Sequence, residues 1–268
     1  MLIDDNFTLS SGTSVSTVNN TESAGVGTYT TVQGSPLTSM SITTVSGFGD
    51  GNVLRLANGA QTYFRPFDAG STLTLNALGV NQTLRVSFDI RFDGGFGGAD
   101  NFSFGFVNVS TPNSILYANL DLSAVGGLAS EFRYRTASFN MSDNIASTIV
   151  GGGWTEPATV STAAYTMQLD VTKQDGGGFL LDYYRDGSIV GTSSQSVSSA
   201  FAVNAGGLAI SGVAFRHSNL PGVTTHIDNV NASYVSSVPE PSTGAALLSA
   251  GIVVLWVSRR KLIGKGET

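Results

Sequence analysis

Hydrophobic residues recur at every second position over long stretches of the chain. Between Thr83 and Phe92, the residues Leu84, Val86, Phe88, Ile90 and Phe92 fall on one side, and Arg85, Ser87, Asp89 and Arg91 on the other. Successive side chains of a strand point to opposite faces, so this alternation predicts a strand with one face in a core and one in water. Tyr165–Thr172 repeats it, setting Tyr165, Met167, Leu169 and Val171 against Thr166, Gln168, Asp170 and Thr172. Phe102, Phe104 and Phe106 share one face of a further strand, where Gly105 eases close approach. Phe179–Arg185 is another, and Asp186-Gly187 turns it into Ser188–Gly191. Asp-Gly suits a two-residue hairpin loop because both residues tolerate positive φ.

Shorter patterns predict strands at Leu2–Phe7, Val53–Ala57, Thr62–Phe64, Ser71–Leu75, Ile115–Asp121, Ser130–Arg135, Gly207–Phe215 and Thr225–Val235. Gly-, Asn- and Ser-rich turns separate them. Trp154, after three glycines, and Glu156 fall in an expected loop. No stretch before residue 236 keeps a helical period. About a dozen antiparallel strands in residues 1–235 predict an all-β domain, an antiparallel jelly-roll β-sandwich, with a closed barrel as the alternative.

The pattern changes at residue 236. Residues 236–242 form a linker holding Pro239-Glu240-Pro241, whose prolines enforce extended, non-helical backbone. Residues 243–258 carry no charge, and Trp256 stands close to Arg259-Arg260-Lys261. As a helix these residues span about 24 Å, at about 1.5 Å per residue, against a bilayer core of about 30 Å. A buried core helix would show a polar face, which this segment lacks. A single short C-terminal transmembrane helix is therefore expected. Residues 259–268 form a basic cytoplasmic tail, because Lys and Arg flanking a span stay on the cytoplasmic side.

The succession of Pro239, Glu240 and Pro241, a short apolar segment, and Arg259, Arg260 and Lys261 resembles the PEP-CTERM sorting signal of Gram-negative bacteria. The resemblance covers residues 238–261. It implies recognition of Pro239-Glu240-Pro241 by a membrane-embedded exosortase, a transient inner-membrane anchor over 243–258, and stop-transfer by the three basic residues. It further implies export to the cell surface or extracellular matrix and a role around exopolysaccharide and biofilm. Export needs a signal peptide, and Met-Leu-Ile-Asp-Asp-Asn-Phe has neither a basic n-region nor an apolar stretch, so the signal peptide is expected to be missing from this chain. The strand patterns around Asn101–Val107, Tyr165–Val171, Leu181–Gly187 and Ile227–Val230 resemble the concanavalin A-like and laminin-G-like sandwiches. That resemblance speaks to fold and implies lectin-like binding.

Composition narrows the classes. The chain of 268 residues is 41% hydrophobic, enough to bury a core, and only 12% charged. Its net charge of −6 splits into −8 over residues 1–238 and +2 over the rest. A sequence pI near 4.7 argues against nucleic acid as a partner. The absence of cysteine excludes disulfides, zinc–thiolate sites and thiol nucleophiles.

Catalytic patterns are lacking. The Glu-x-Asp-x-x-Glu strand of glucan-cleaving sandwiches is missing, and Glu22, Glu131 and Glu156 are the only glutamates before residue 236. His217 and His226 are the only histidines, and there is no Gly-x-Ser-x-Gly elbow. The expectation is a non-enzymatic protein without catalytic residues or organic cofactor. A polysaccharide hydrolase or lyase with an unrecognised site is the alternative. Trp154, Tyr183 and Tyr184 are candidates for a carbohydrate platform, although core or surface packing is the stronger explanation of them. By alternation one of the two tyrosines must face outward. Calcium is the cation left open, because it takes carboxylate and carbonyl oxygens from loops. Asp93 and Asp100 flank a Gly-rich loop, and Asp4, Asp5 and Asp228 meet if the first and last strands pair.

Overall fold

Strands form where alternation is strong, and they pair in an order that alternation does not reveal. The computed structural model describes residues 1–5, 17–19, 28–33, 40–48, 52–57, 61–93, 100–108, 115–123, 128–134, 148–156, 164–198, 207–218 and 224–236. Met1–Val235 form one unit. Ser236–Thr268 form a second, and past Ser236 it lies outside the described residues, with Pro239, Glu240, Pro241, residues 243–258, Arg259, Arg260 and Lys261. Among the described residues no helix is long and apolar enough to cross a membrane.

The first nine strands are β1 (Ile3–Asp5), β2 (Thr17–Asn19), β3 (Thr28–Gln33), β4 (Met40–Thr44), β5 (Asn52–Ala57), β6 (Gln61–Pro66), β7 (Leu73–Thr74), β8 (Gln82–Asp93) and β9 (Asp100–Val107). The remainder are β10 (Ile115–Ser123), β11 (Leu128–Tyr134), β12 (Thr148–Glu156), β13 (Tyr165–Lys173), β14 (Phe179–Arg185), β15 (Ser188–Gln195), β16 (Ala209–Ile210), β17 (Gly212–Ser218) and β18 (Thr224–Ser236). One run of neighbours is β2-β3-β6-β17-β9-β10-β11-β12, and the other is β15-β14-β13-β8-β18-β5-β4, with β1 also on β18. The two runs meet at β12 and β15 through the single pairing of Gly151 with Gly191. These sixteen strands are thus one hydrogen-bonded sheet folded over at that junction, and its two halves are the first and second sheets of the fold. The small pair β7–β16 stands apart from both.

The inner faces of the two sheets form the core. Phe88 of β8 in the second sheet meets Phe104 of β9 and Phe215 of β17 in the first, at ring-centroid distances of 4.8 and 5.0 Å and nearly perpendicular. Phe92 meets Phe102 in the same edge-to-face manner at 5.5 Å. This geometry sets the positive ring edge against the negative ring face. Each buried Phe also removes apolar surface from water, at about 1.5–3 kcal/mol per side chain. Leu84, Val86, Phe88, Ile90 and Phe92 are all buried, as are Tyr165, Met167, Leu169 and Val171, so the period of two translates directly into an inner face. Two sheets packed through their inner faces make a β-sandwich rather than a barrel.

The predicted hairpin is present. Asp186 and Gly187 have φ of 48° and 76°, and Arg185 pairs with Ser188 across the turn. Positive φ at both central residues is the backbone that a right-twisted two-residue hairpin needs.

Four expectations change. Eighteen strands are present among the described residues instead of about a dozen. Gly207–Phe215 is split at Ser211, which bridges Val107 and Phe67 through its own backbone groups. Ser71–Leu75 keeps only Leu73–Thr74 as strand, followed by a 3-10 turn over Leu75–Ala77. Trp154 and Glu156 lie in β12 and not in a loop, opposite Ser130 and Leu128. The three glycines ahead of Trp154 read as a loop because glycine is poor in strands, but here the partner β11 supplies the ladder.

Candidate functional site

The solvent-facing side of the second sheet is built from the polar halves of the alternating strands. Antiparallel pairing places these halves in register. Arg85 of β8 lies opposite Asp170 of β13, Asp170 opposite Asp182 of β14, and Asp182 opposite Thr192 of β15. One row along, Ser87 faces Gln168, Gln168 faces Tyr184, and Tyr184 faces Ile189. Residues directly opposite on one face sit about 5 Å apart, close enough for side chains to bond.

They do bond. Arg85 donates from Nε and Nη2 to the two oxygens of Asp170 at 2.7 and 2.6 Å. Gln168 Nε2 donates to Asp170 Oδ1 at 3.1 Å. The hydroxyl of Thr192 donates to Asp182 at 2.6 Å. At one margin Asp89 accepts from the Thr166 hydroxyl at 2.6 Å and from Asn229 Nδ2 at 2.7 Å. Asn229 sits in the left-handed region with φ of 50°, which Asn adopts more readily than most residues. Bidentate arginine–carboxylate pairs are directional, so Arg85 and Asp170 hold fixed orientations.

Two electrostatic consequences follow. The hydrogen bond to Asp170 raises the Arg85 pKa, against the opposing effect of burial. Burial raises the pKa of the Tyr184 phenol, and Asp170 and Asp182 raise it further. Tyr184 therefore stays a neutral hydroxyl, able to donate as well as accept, at every ordinary pH. Beside it Ile189 is 59% exposed. The face thus carries a short aromatic–aliphatic strip next to an ordered row of donors and acceptors.

The structure separates the two tyrosines. Tyr183 is 0% exposed and joins Phe179 and Leu181 in the core, so it cannot touch a ligand. Tyr184 is the outward member of the pair. The backbone of Trp154 is in β12, and its side chain lies outside the described residues.

The proposed calcium ligands do not gather. β1 and β18 pair as expected, with Asp5 opposite Val230 and Asp4 opposite Asn231. Yet Asp5 turns inward to a bidentate bond with Arg65, both contacts at 2.8 Å, while Asp4 is exposed. Asp93 is held by Arg91 through contacts of 2.8 and 2.6 Å, and Asp228 accepts from the backbone of Asn229 at 2.8 Å. The side chain of Asp100 lies outside the described residues. Among the described residues no three acidic or histidine side chains cluster to hold a metal ion. For Asp5 and Asp93, a guanidinium already supplies the positive charge that calcium would bring.

Sequence reasoning missed the Arg85–Asp170–Asp182–Thr192 row. Each member appears as an ordinary polar strand position, and the signal lies in the register between strands.

Fold and surface together define an antiparallel β-sandwich with a polar, tyrosine-bearing sheet face. No protein-family model matches the chain, and no curated protein matches it. Among solved structures it is similar to the seed lectin of Lotus tetragonolobus, at 10% identity over 89% of this chain and 100% of that one, with a TM-score of 0.47. It is similar to the cellulose-induced protein Cip1 at 12% identity over 88% and 97% of the two chains, with a TM-score of 0.45. It is also similar to the carbohydrate-binding module CBM66 from Bacillus subtilis, at 13% identity over 76% and 94%, with a TM-score of 0.39.

Proposed function

We propose that the chain is a non-enzymatic, exported cell-surface or extracellular-matrix protein that binds polysaccharide on the outer face of its second sheet. The observation that carries this reading is the row of in-register polar side chains beside Tyr184 and Ile189. Sugars offer flat apolar patches of C–H groups and a rim of hydroxyls. An aromatic ring with a polar tip meets the first, and oriented donors and acceptors meet the second. A carboxylate accepts about four hydrogen bonds. Thr192 supplies one of these at Asp182, and sugar hydroxyls would supply others.

Binding is favoured over hydrolysis by the state of Asp170. It stands directly opposite Asp182, as a pair of catalytic carboxylates might be expected to, but both its oxygens are engaged by Arg85 and one also by Gln168. Neither oxygen is turned to a substrate. The test is retention of the full chain in polysaccharide-containing gels. At least one polysaccharide is expected to retard it, and Tyr184→Ala is expected to weaken that binding roughly tenfold, equivalent to about 1.4 kcal/mol, with unchanged melting. No retention by any polysaccharide, or release of reducing ends, overturns the reading.

The export half of the proposal rests on the resemblance of residues 238–261 to a sorting signal. In a Gram-negative host carrying an exosortase, the chain with its export signal is anchored in the inner membrane through residues 243–258, processed, and passed to the surface or matrix, where its ligand is exopolysaccharide of the biofilm. Changing Pro239, Glu240 and Pro241 to alanine is expected to abolish processing and surface display. Unaltered processing and display sink this half.

A further inference from the structure

Charge on the proposed binding face separates one class of polysaccharide from another, an inference that rests on the reading of that face given above. Across the facing rows of β8, β13 and β14 the charged side chains are Arg85, Asp89, Asp170 and Asp182. Arg85 is neutralised by its bidentate bond to Asp170, which leaves the carboxylates of Asp89 and Asp182 without a compensating cation in these rows. Both accept from neutral donors instead. Asp89 takes the Thr166 hydroxyl and the Asn229 amide, and Asp182 takes the Thr192 hydroxyl, at 2.6 to 2.7 Å. Adding the neighbouring outer positions does not reverse the sign, because Arg91 is bound to Asp93 and Arg55 of β5, opposite His226, offsets only one of the two carboxylates. The surrounding domain carries −8 over residues 1–238, so the wider field has the same sign.

We infer that the polysaccharide accepted by this face is uncharged, read through its hydroxyl groups, and that uronic-acid polymers are rejected. A polyuronate laid along the rows would bring carboxylates against Asp89 and Asp182, and like charges brought together out of water repel strongly. A neutral glycan meets the same carboxylates with hydroxyl donors, the chemistry that Thr166 and Thr192 already display toward them. The short Tyr184–Ile189 strip then takes the apolar face of a sugar ring.

The experiment uses the full chain against laminarin, dextran and galactomannan as neutral polymers, alginate and polygalacturonate as acidic ones, and chitosan as a cationic one. Binding is read by retardation at low and at moderate salt. The expected result is binding to at least one neutral polymer at least tenfold tighter than to either polyuronate, with Asp182→Asn narrowing that ratio. Screening by added salt is expected to narrow the ratio as well. Tightest binding to alginate, polygalacturonate or chitosan overturns the inference and leaves polysaccharide binding standing. Failure to bind all six overturns both.

Discussion

Replacing Arg65 by alanine is expected to destabilise the domain by about 3–5 kcal/mol, the usual cost of leaving one member of a buried ion pair uncompensated. Arg65 lies on β6 of the first sheet, is 0% exposed, and points inward like Tyr63 two residues before it. Its Nε and Nη2 reach the two oxygens of Asp5 on β1, and Nη2 also reaches Asp68 at 2.7 Å in the 3-10 turn Asp68–Gly70. It donates as well to the backbone oxygen of Pro66. β1 belongs to the second sheet through β18, so this one guanidinium joins the two sheets. Backbone bonds from Asp68 to Leu2 and from Leu2 to Ala232, at 2.8 and 2.7 Å, tighten the same corner.

Truncation leaves the Asp5 carboxylate buried without the guanidinium that offsets its desolvation. The control is to remove both charges. Asp5→Leu with Arg65→Met keeps the volume apolar and is expected to recover most of the loss, because the pair's own attraction only roughly repays the desolvation of its members. Urea unfolding of the full chain and the variants checks both statements. A loss below about 1 kcal/mol for Arg65→Ala, or a double variant no better than the single, contradicts the account.

The second large effect is a loss of stability as pH falls from about 6.5 toward 4. His226 on β18 is only 4% exposed. Its Nδ1 stands 3.5 Å from Asp93 Oδ2. Burial is the largest influence and disfavours the charged ring. Asp93 opposes it, Arg91 and Arg55 reinforce it, and the pKa is lowered from 6.5 to about 4. In the unfolded chain the ring titrates near 6.5, so between these values the unfolded state binds the extra proton. Stability from this group is thus fully present above pH 6.5, declines through the window, and levels off below about 4. A gap of this size corresponds to about 3 kcal/mol. His226→Gln is expected to flatten the pH dependence in that window. An unchanged slope between wild type and variant sinks the assignment.

The interior is legible in the sequence itself. In β8, β13 and β14 the period of two assigns each residue to a face, and burial follows it from Leu84 through Ile90 and from Tyr165 through Leu169, beyond which Arg91 and Asp170 are buried too, each in an ion pair. The hairpin at Asp186-Gly187 was equally local, because the φ demand of the turn is met by the two residues that make it. The early strands were not legible. Thr17–Asn19, Thr28–Gln33 and Met40–Thr44 are dominated by Ser, Thr and other residues of middling polarity, so alternation gives no contrast between faces.

Only the tertiary structure decided the rest. Alternation required one of Tyr183 and Tyr184 to face outward without saying which, and packing against the second sheet's inner face chose Tyr183 for the core. Asp5 and Arg65 are 60 positions apart, and nothing in either neighbourhood announces the other. From the sequence Asp5 is one candidate carboxylate for calcium, and the fold delivers a guanidinium to it. The row of Arg85, Asp170, Asp182 and Thr192 has the same origin. Local pattern sets the face on which a side chain lies, because that depends on its own backbone. Its neighbours across the sheet depend on the register of strands far apart in the chain, and only the folded ladder settles that register.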